Sequence, residues 1–98
     1  MIRGTNPKIK IYTNIDSSMI DDVVITLKQL GNKLEKRKED CTFEDGTIIT
    51  QLTQEETLSL KAGYAVEIQA KVKFVDKTVA MNIIKREQVN DDLHNKVI

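Results

Sequence analysis

From Tyr64 to Val75 the chain reads YAVEIQAKVKFV and alternates throughout. Tyr64, Val66, Ile68, Ala70, Val72 and Phe74 fall on one side; Glu67, Gln69, Lys71 and Lys73 fall on the other. Successive strand side chains point to opposite faces, so this pattern predicts a long antiparallel strand with one dry and one wet side. The wet side is an ordinary solvated face that could equally serve as a polar contact surface. The other strands are expected to pair with this one or to pack across from it.

Ahead of it, Lys8 to Thr13 alternates with Ile9 and Ile11 on one face, and Val23 to Gln29 places Val23, Ile25 and Leu27 together. Both read as strands, the second strengthened by its β-branched residues. A single helical turn fits at Ser17–Ile20. Leu30-Gly31-Asn32 supplies turn chemistry. Lys33 to Glu39 reads as a charged edge strand with only Leu34 inward, because lysines on an exposed edge discourage pairing with other chains; a helical turn is the alternative. Cys41–Phe43 and Thr47–Leu52 flank an Asp45-Gly46 hairpin turn. Thr53 and Glu56 have the spacing of a capping box, opening one or two helical turns to Leu58 or Leu60. After a tight turn at Asp76-Lys77, Thr78 to Val89 forms the last strand and hairpins with the central one. Ile83 and Ile84 are adjacent and both apolar, so a bulge or a crossover between sheets is expected there.

About six or seven short strands joined by turns predict an all-β fold, a small antiparallel β-sandwich of immunoglobulin-like or similar type. At most one short helical turn is expected, and a small open β-barrel is the alternative. The 98 residues form one domain (1–98), with a flexible N-terminal arm at 1–7 and a C-terminal tail at 90–98. A chain of this length buries roughly 60–65% of its unfolded surface. Aromatics are 4%, so Ile, Val and Leu must build the core.

Charge changes the functional picture more than composition does. Fifteen Lys and Arg balance fifteen Asp and Glu. The overall basic excess that usually holds a protein to nucleic acid is absent, although a local patch stays open. A net charge of zero does not oppose self-association. MIRGTNPKIK has no apolar core of a secretory signal, and no run approaches the roughly 20 apolar residues of a spanning helix. The chain is therefore expected in the cytoplasm unless it leaves within an assembly, with no membrane partner.

Catalytic chemistry finds little support. His94, the only histidine, lies in the tail, a poor place for a triad base. Cys41 has Lys36, Arg37 and Lys38 upstream but Glu39 and Asp40 nearer, and reads as a small packed hydrophobe. The acidic pairs Asp21-Asp22, Glu39-Asp40, Glu44-Asp45, Glu55-Glu56 and Asp91-Asp92 fall largely at turns and lack the spacing of a calcium loop. The basic run Lys33, Lys36, Arg37, Lys38 is interrupted by Glu35 and has no aromatic for base stacking. No residue is assigned a catalytic, cofactor-binding or metal role, and no small-molecule substrate or cofactor is expected.

Three stretches carry a resemblance. MIRGTNPKIKIYTNIDSSMI, DCTFEDGTIITQLTQEETLSL and YAVEIQAKVKFVDKTVAMNIIKREQV, in this order, resemble small proteins encoded by prophages and tailed phages of Gram-positive bacteria. The most specific pieces are Met1–Thr5 and Leu52–Leu58. The resemblance implies a non-enzymatic structural or assembly role in the head-tail or tail/baseplate region. The implied partners are other phage structural proteins and copies of the chain itself, and the implied location is the host cytoplasm during assembly, then the virion. The Met1–Pro7 arm and the Asn90–Ile98 tail are expected to reach neighbours. The alternatives are a sandwich module binding a carbohydrate or host surface, for which only Tyr12 and Tyr64 offer aromatics, and a regulator that binds a host protein.

Overall fold

A computed structural model describes residues 1–76 and 79–90 of the chain. The fold is an antiparallel β-sandwich of two open sheets. The strands are β1 (Lys8–Tyr12), β2 (Ile20–Gln29), β3 (Asn32–Arg37), β4 (Cys41–Glu44), β5 (Thr47–Gln51), β6 (Ala65–Phe74) and β7 (Val79–Gln88). One sheet has the order β1-β5-β4, the other β3-β2-β6-β7. Hairpin β2–β3 stays within one sheet, whereas an immunoglobulin sandwich places its second and third strands in opposite sheets. The sandwich is thus of another strand order.

The alternating stretch becomes β6, an interior strand between β2 and β7. Its dry side, Val66, Ile68, Ala70 and Val72, is buried with Val23, Ile25 and Leu27 of β2. Ile9, Ile11 and Ile48 close the core from the other sheet, and Leu52, Leu60 and Val89 complete it. Tyr64, expected inward, is 53% exposed because it precedes the strand and lies beyond the last core layer.

Turn chemistry explains the connections. Leu30 and Gly31 form a two-residue turn with φ of 46° and 87°, joining Gln29 to Asn32. Asp45 and Gly46 do the same between β4 and β5, with φ of 35° and 76°. Both residues at positive φ match the right-handed twist of the paired strands. A Cβ on Gly46 would also sit 3.0 Å from the Asn14 Cα, so close approach as well as φ demands glycine.

Among the described residues helix is limited to α1 (Gln54–Leu58) and two 3-10 turns, Ser17–Met19 and Lys38–Asp40, where at most one short helical turn was expected. Thr53 and Glu56 form the reciprocal capping box: Glu56 N donates to Thr53 Oγ1 at 3.1 Å and Thr53 N to Glu56 Oε1 at 2.8 Å. The Lys33–Glu39 stretch forms edge strand β3 rather than a helical turn.

Two expectations are corrected. Strand β7 carries no register shift at Ile83/Ile84; the irregularity falls opposite Val72/Lys73, and a second one occurs in β2 at Ile20/Asp22. Ile84 simply faces outward beside Gln69, 55% exposed, while the side chain of Ile83 lies outside the described positions. Residues 1–7 are irregular but tied down. Arg3 N donates to Asn90 O, Asn90 N to Met1 O, and Leu52 N to Pro7 O. Gly4 N donates to Thr57 Oγ1 at 3.1 Å. The segment expected as a flexible arm is a strap across α1 and the end of β7. Lys77, Thr78 and the tail beyond Asn90, with His94 and the Asp91-Asp92 pair, lie outside the described residues.

Candidate interaction surface

The pairing of β3, β2, β6 and β7 brings outward side chains from distant parts of the sequence onto one face. Its cations are Lys28, Lys33, Arg37, Lys71, Lys73 and Arg86. Against these six cations the same face carries three carboxylates, Asp22, Glu35 and Glu67, with Asp22 directly opposite Lys73. Arg37 Nη2 meets Glu35 Oε2 at 3.1 Å, Arg86 Nη2 lies 3.9 Å from Glu67 Oε2, and Asp22 Oδ1 accepts from Val23 N at 2.9 Å. A neutral chain therefore has a basic sheet face, because strand pairing sorts its charges.

Between these lysines runs a shallow depression of about 380 Å³. Val24, Thr26 and Gln69 form its half-buried floor. Lys28, Lys33 and Lys71 stand on its rim, with Glu35 and Glu67. Lys28 and Lys33 are directly opposed across β2 and β3. Like charges facing each other across strands destabilise a sheet, so local stability does not account for this pair. Leu30 and Ile84 add exposed apolar surface at the margins.

Acids collect at the end formed by the β4–β5 turn and the link from β1 to β2. Asp16 and Asp45 line one depression there. Glu44, next to Asp45 in the chain, is exposed, and Val75 N donates to Met19 O, bringing two exposed apolar residues together beside the Ser17–Met19 turn. The tip is rigidly anchored, since Gly46 O accepts from Thr13 N at 2.7 Å, Asn14 N at 3.1 Å and Thr13 Oγ1 at 2.9 Å. Asp16 caps the adjacent 3-10 turn, and the N–H of Ser18 holds its carboxyl below the ordinary carboxylate value. Lys38, ahead of the other end of β4, donates to the carbonyls of Ile20 and Asp21.

The other singled-out residues separate. Cys41 is half-buried; its thiol donates to Arg37 O at 3.2 Å, and burial pushes its pKa up, with Asp40 and Glu39 adding to the effect. A thiol so placed is a poor nucleophile. Among the described residues no three His, Cys, Asp or Glu side chains gather closely enough to hold an ion. The basic run disperses: Lys33 and Arg37 face outward, whereas Lys36 turns inward to Glu56 Oε1 at 2.8 Å. Tyr12 and Tyr64 are both exposed, but Tyr12 pairs with Thr47 beside the acidic turn and Tyr64 lies at the opposite end of the domain beside Gln29. They do not form one aromatic platform.

Single-residue patterning could not reveal the basic face, because Lys28, Lys33, Lys71 and Arg86 come from four strands. The signal lay in the wet side of the central strand, once its neighbours were known. Among the described residues no helix is long and apolar enough to cross a membrane. Compared with protein-family models, curated proteins and solved structures, the chain matches none.

Proposed function

We propose that this chain is a non-enzymatic structural or assembly protein of a phage or prophage, acting through protein–protein contacts. The observation that carries the reading is the meeting of Met1–Thr5 with Leu52–Leu58, the two segments most specific to the resemblance. Arg3 Nη2 donates to Leu58 O at 3.0 Å, and Thr57 Oγ1 lies between Gly4 N and Thr5 O. Residues scattered in sequence thus serve one local structure, which supports treating the resemblance as one of fold rather than of chance wording. With the N-terminal segment strapped down, the contact role passes from the arm to the basic sheet face, where six cations stand with three carboxylates.

The test is mass spectrometry of particles purified after induction of the source strain. The 11.2 kDa chain at fixed stoichiometry in particles is the expected result. Its presence in the lysate alone, with particles otherwise complete, would remove the virion role.

A further inference from the structure

We infer that the chain associates head to tail with copies of itself, the acidic β4–β5 end of one copy seating on the basic outer sheet face of the next. The inference rests on the assembly reading above and names the partner.

Three observations carry it. The two surfaces are opposite in charge: Lys28, Lys33 and Lys71 rim the depression on the sheet, and Asp16 and Asp45, with Glu44 next to Asp45 in the chain, stand at the turn. The molecule as a whole is neutral, so copies meet without net repulsion and each carries both halves of the contact. Exposed ion pairs alone are weak, and here apolar side chains accompany both sides. Leu30 and Ile84 flank the basic face, while Met19 and Val75 stand at the acidic end. The hairpin tip is also fixed by its bonds to Thr13 and Asn14, so seating it orders little that is not already ordered. Because the joined surfaces differ, the contact is heterologous: it closes into a ring or continues as a filament. An acidic protein of another kind would need charge that this chain already supplies, and a nucleic acid would find no exposed aromatic among the described residues of the face.

The experiment is sedimentation velocity of the full chain up to about 1 mM, the range that reveals weak association. The expected result is concentration-dependent growth that weakens by about tenfold or more between roughly 50 mM and 500 mM salt. Lys28→Glu/Lys71→Glu and Glu44→Lys/Asp45→Lys are each expected to stay monomeric, and their equimolar mixture to associate again, since both reversed surfaces then find partners. Lys28→Gln/Lys71→Gln, which weakens the contact without reversing charge, serves if a reversal fails to fold by circular dichroism. A wild type that stays monomeric at low salt overturns the inference. So does growth indifferent to salt and to both variants, or duplex DNA bound by a protein that remains monomeric. A chain found in particles but monomeric in solution removes this contact and leaves the assembly reading. A chain that associates but is absent from particles does the reverse.

Discussion

Gln29 and Lys61 bond to each other twice. Gln29 Oε1 accepts from Lys61 N at 2.6 Å, and Gln29 Nε2 donates to Lys61 O at 2.9 Å and to Tyr64 O at 3.1 Å. Gln29 is buried at the end of the β2 core row, after Val23, Ile25 and Leu27. One amide thereby satisfies the backbone that carries the chain from α1 into β6.

Replacing Gln29 by Leu keeps the volume and removes every one of these bonds. Two carbonyls and one N–H are left without this partner, at a typical cost of about 1–3 kcal/mol per buried unsatisfied group. Partial access to water lowers the sum, and a loss of about 2–4 kcal/mol is expected. Urea denaturation should show a lower midpoint with an unchanged slope.

Thr57 is the corresponding anchor for the N-terminal strap. Its buried hydroxyl accepts from Gly4 N at 3.1 Å, and its single proton lies between Thr5 O at 2.8 Å and Gln54 O at 3.0 Å. Thr57→Val retains shape and is expected to cost about 1–3 kcal/mol. Hydrogen exchange at the Gly4 amide should quicken more than at β6, which separates release of the strap from global loss of stability.

Lys36 and Glu56 join β3 to α1 at 2.8 Å, with side chains 13% and 24% exposed. Burial pushes the Glu56 carboxyl up, but hydrogen bonds from Lys36 and from the Thr53 N–H outweigh it and hold the group below its ordinary 4.5. A carboxylate whose folded pKa is depressed contributes stability above its unfolded pKa and loses it as pH falls through the folded value. Stability is therefore expected to decline as pH drops below about 4.5. In Glu56→Gln, thermal unfolding followed against pH should show a smaller acid-dependent decline and lower stability at neutral pH.

Leu30 occupies a left-handed backbone position, φ 46°, while 60% exposed. Such a conformation costs an ordinary L-residue roughly 1–2 kcal/mol, less for Asn. Leu30→Asn before Gly31 gives the preferred Asn-Gly turn and is expected to raise stability by about 0.5–1 kcal/mol, measured as a higher melting temperature.

Much of the fold was legible because its signals are local. The alternation of Ala65–Phe74 fixed which side chains face the core, Asp45-Gly46 marked a hairpin, and Thr53 with Glu56 marked a helix start. Each depends on residues within a few positions of one another, where backbone geometry follows side-chain type. The adjacent Ile83-Ile84 misled because a solvent-facing apolar residue on an edge strand costs little, so no bulge is needed to hide Ile84.

What the chain alone determined is therefore the alternation, the turns and the two-sheet β class. Only the tertiary structure decided the strand order, the inward turn of Lys36, the burial of Gln29 and the fastening of residues 1–7. It also gathered the lysines of β2, β3 and β6 onto one face and placed Asp16 beside Asp45 at the β4–β5 end. The physical reason is separation: Gln29 lies 32 positions from Lys61, and Gly4 lies 53 from Thr57. Partners so far apart are chosen by which strands pair and which surfaces the core requires, and a polar side chain's role is settled only by the group that pairing brings beside it.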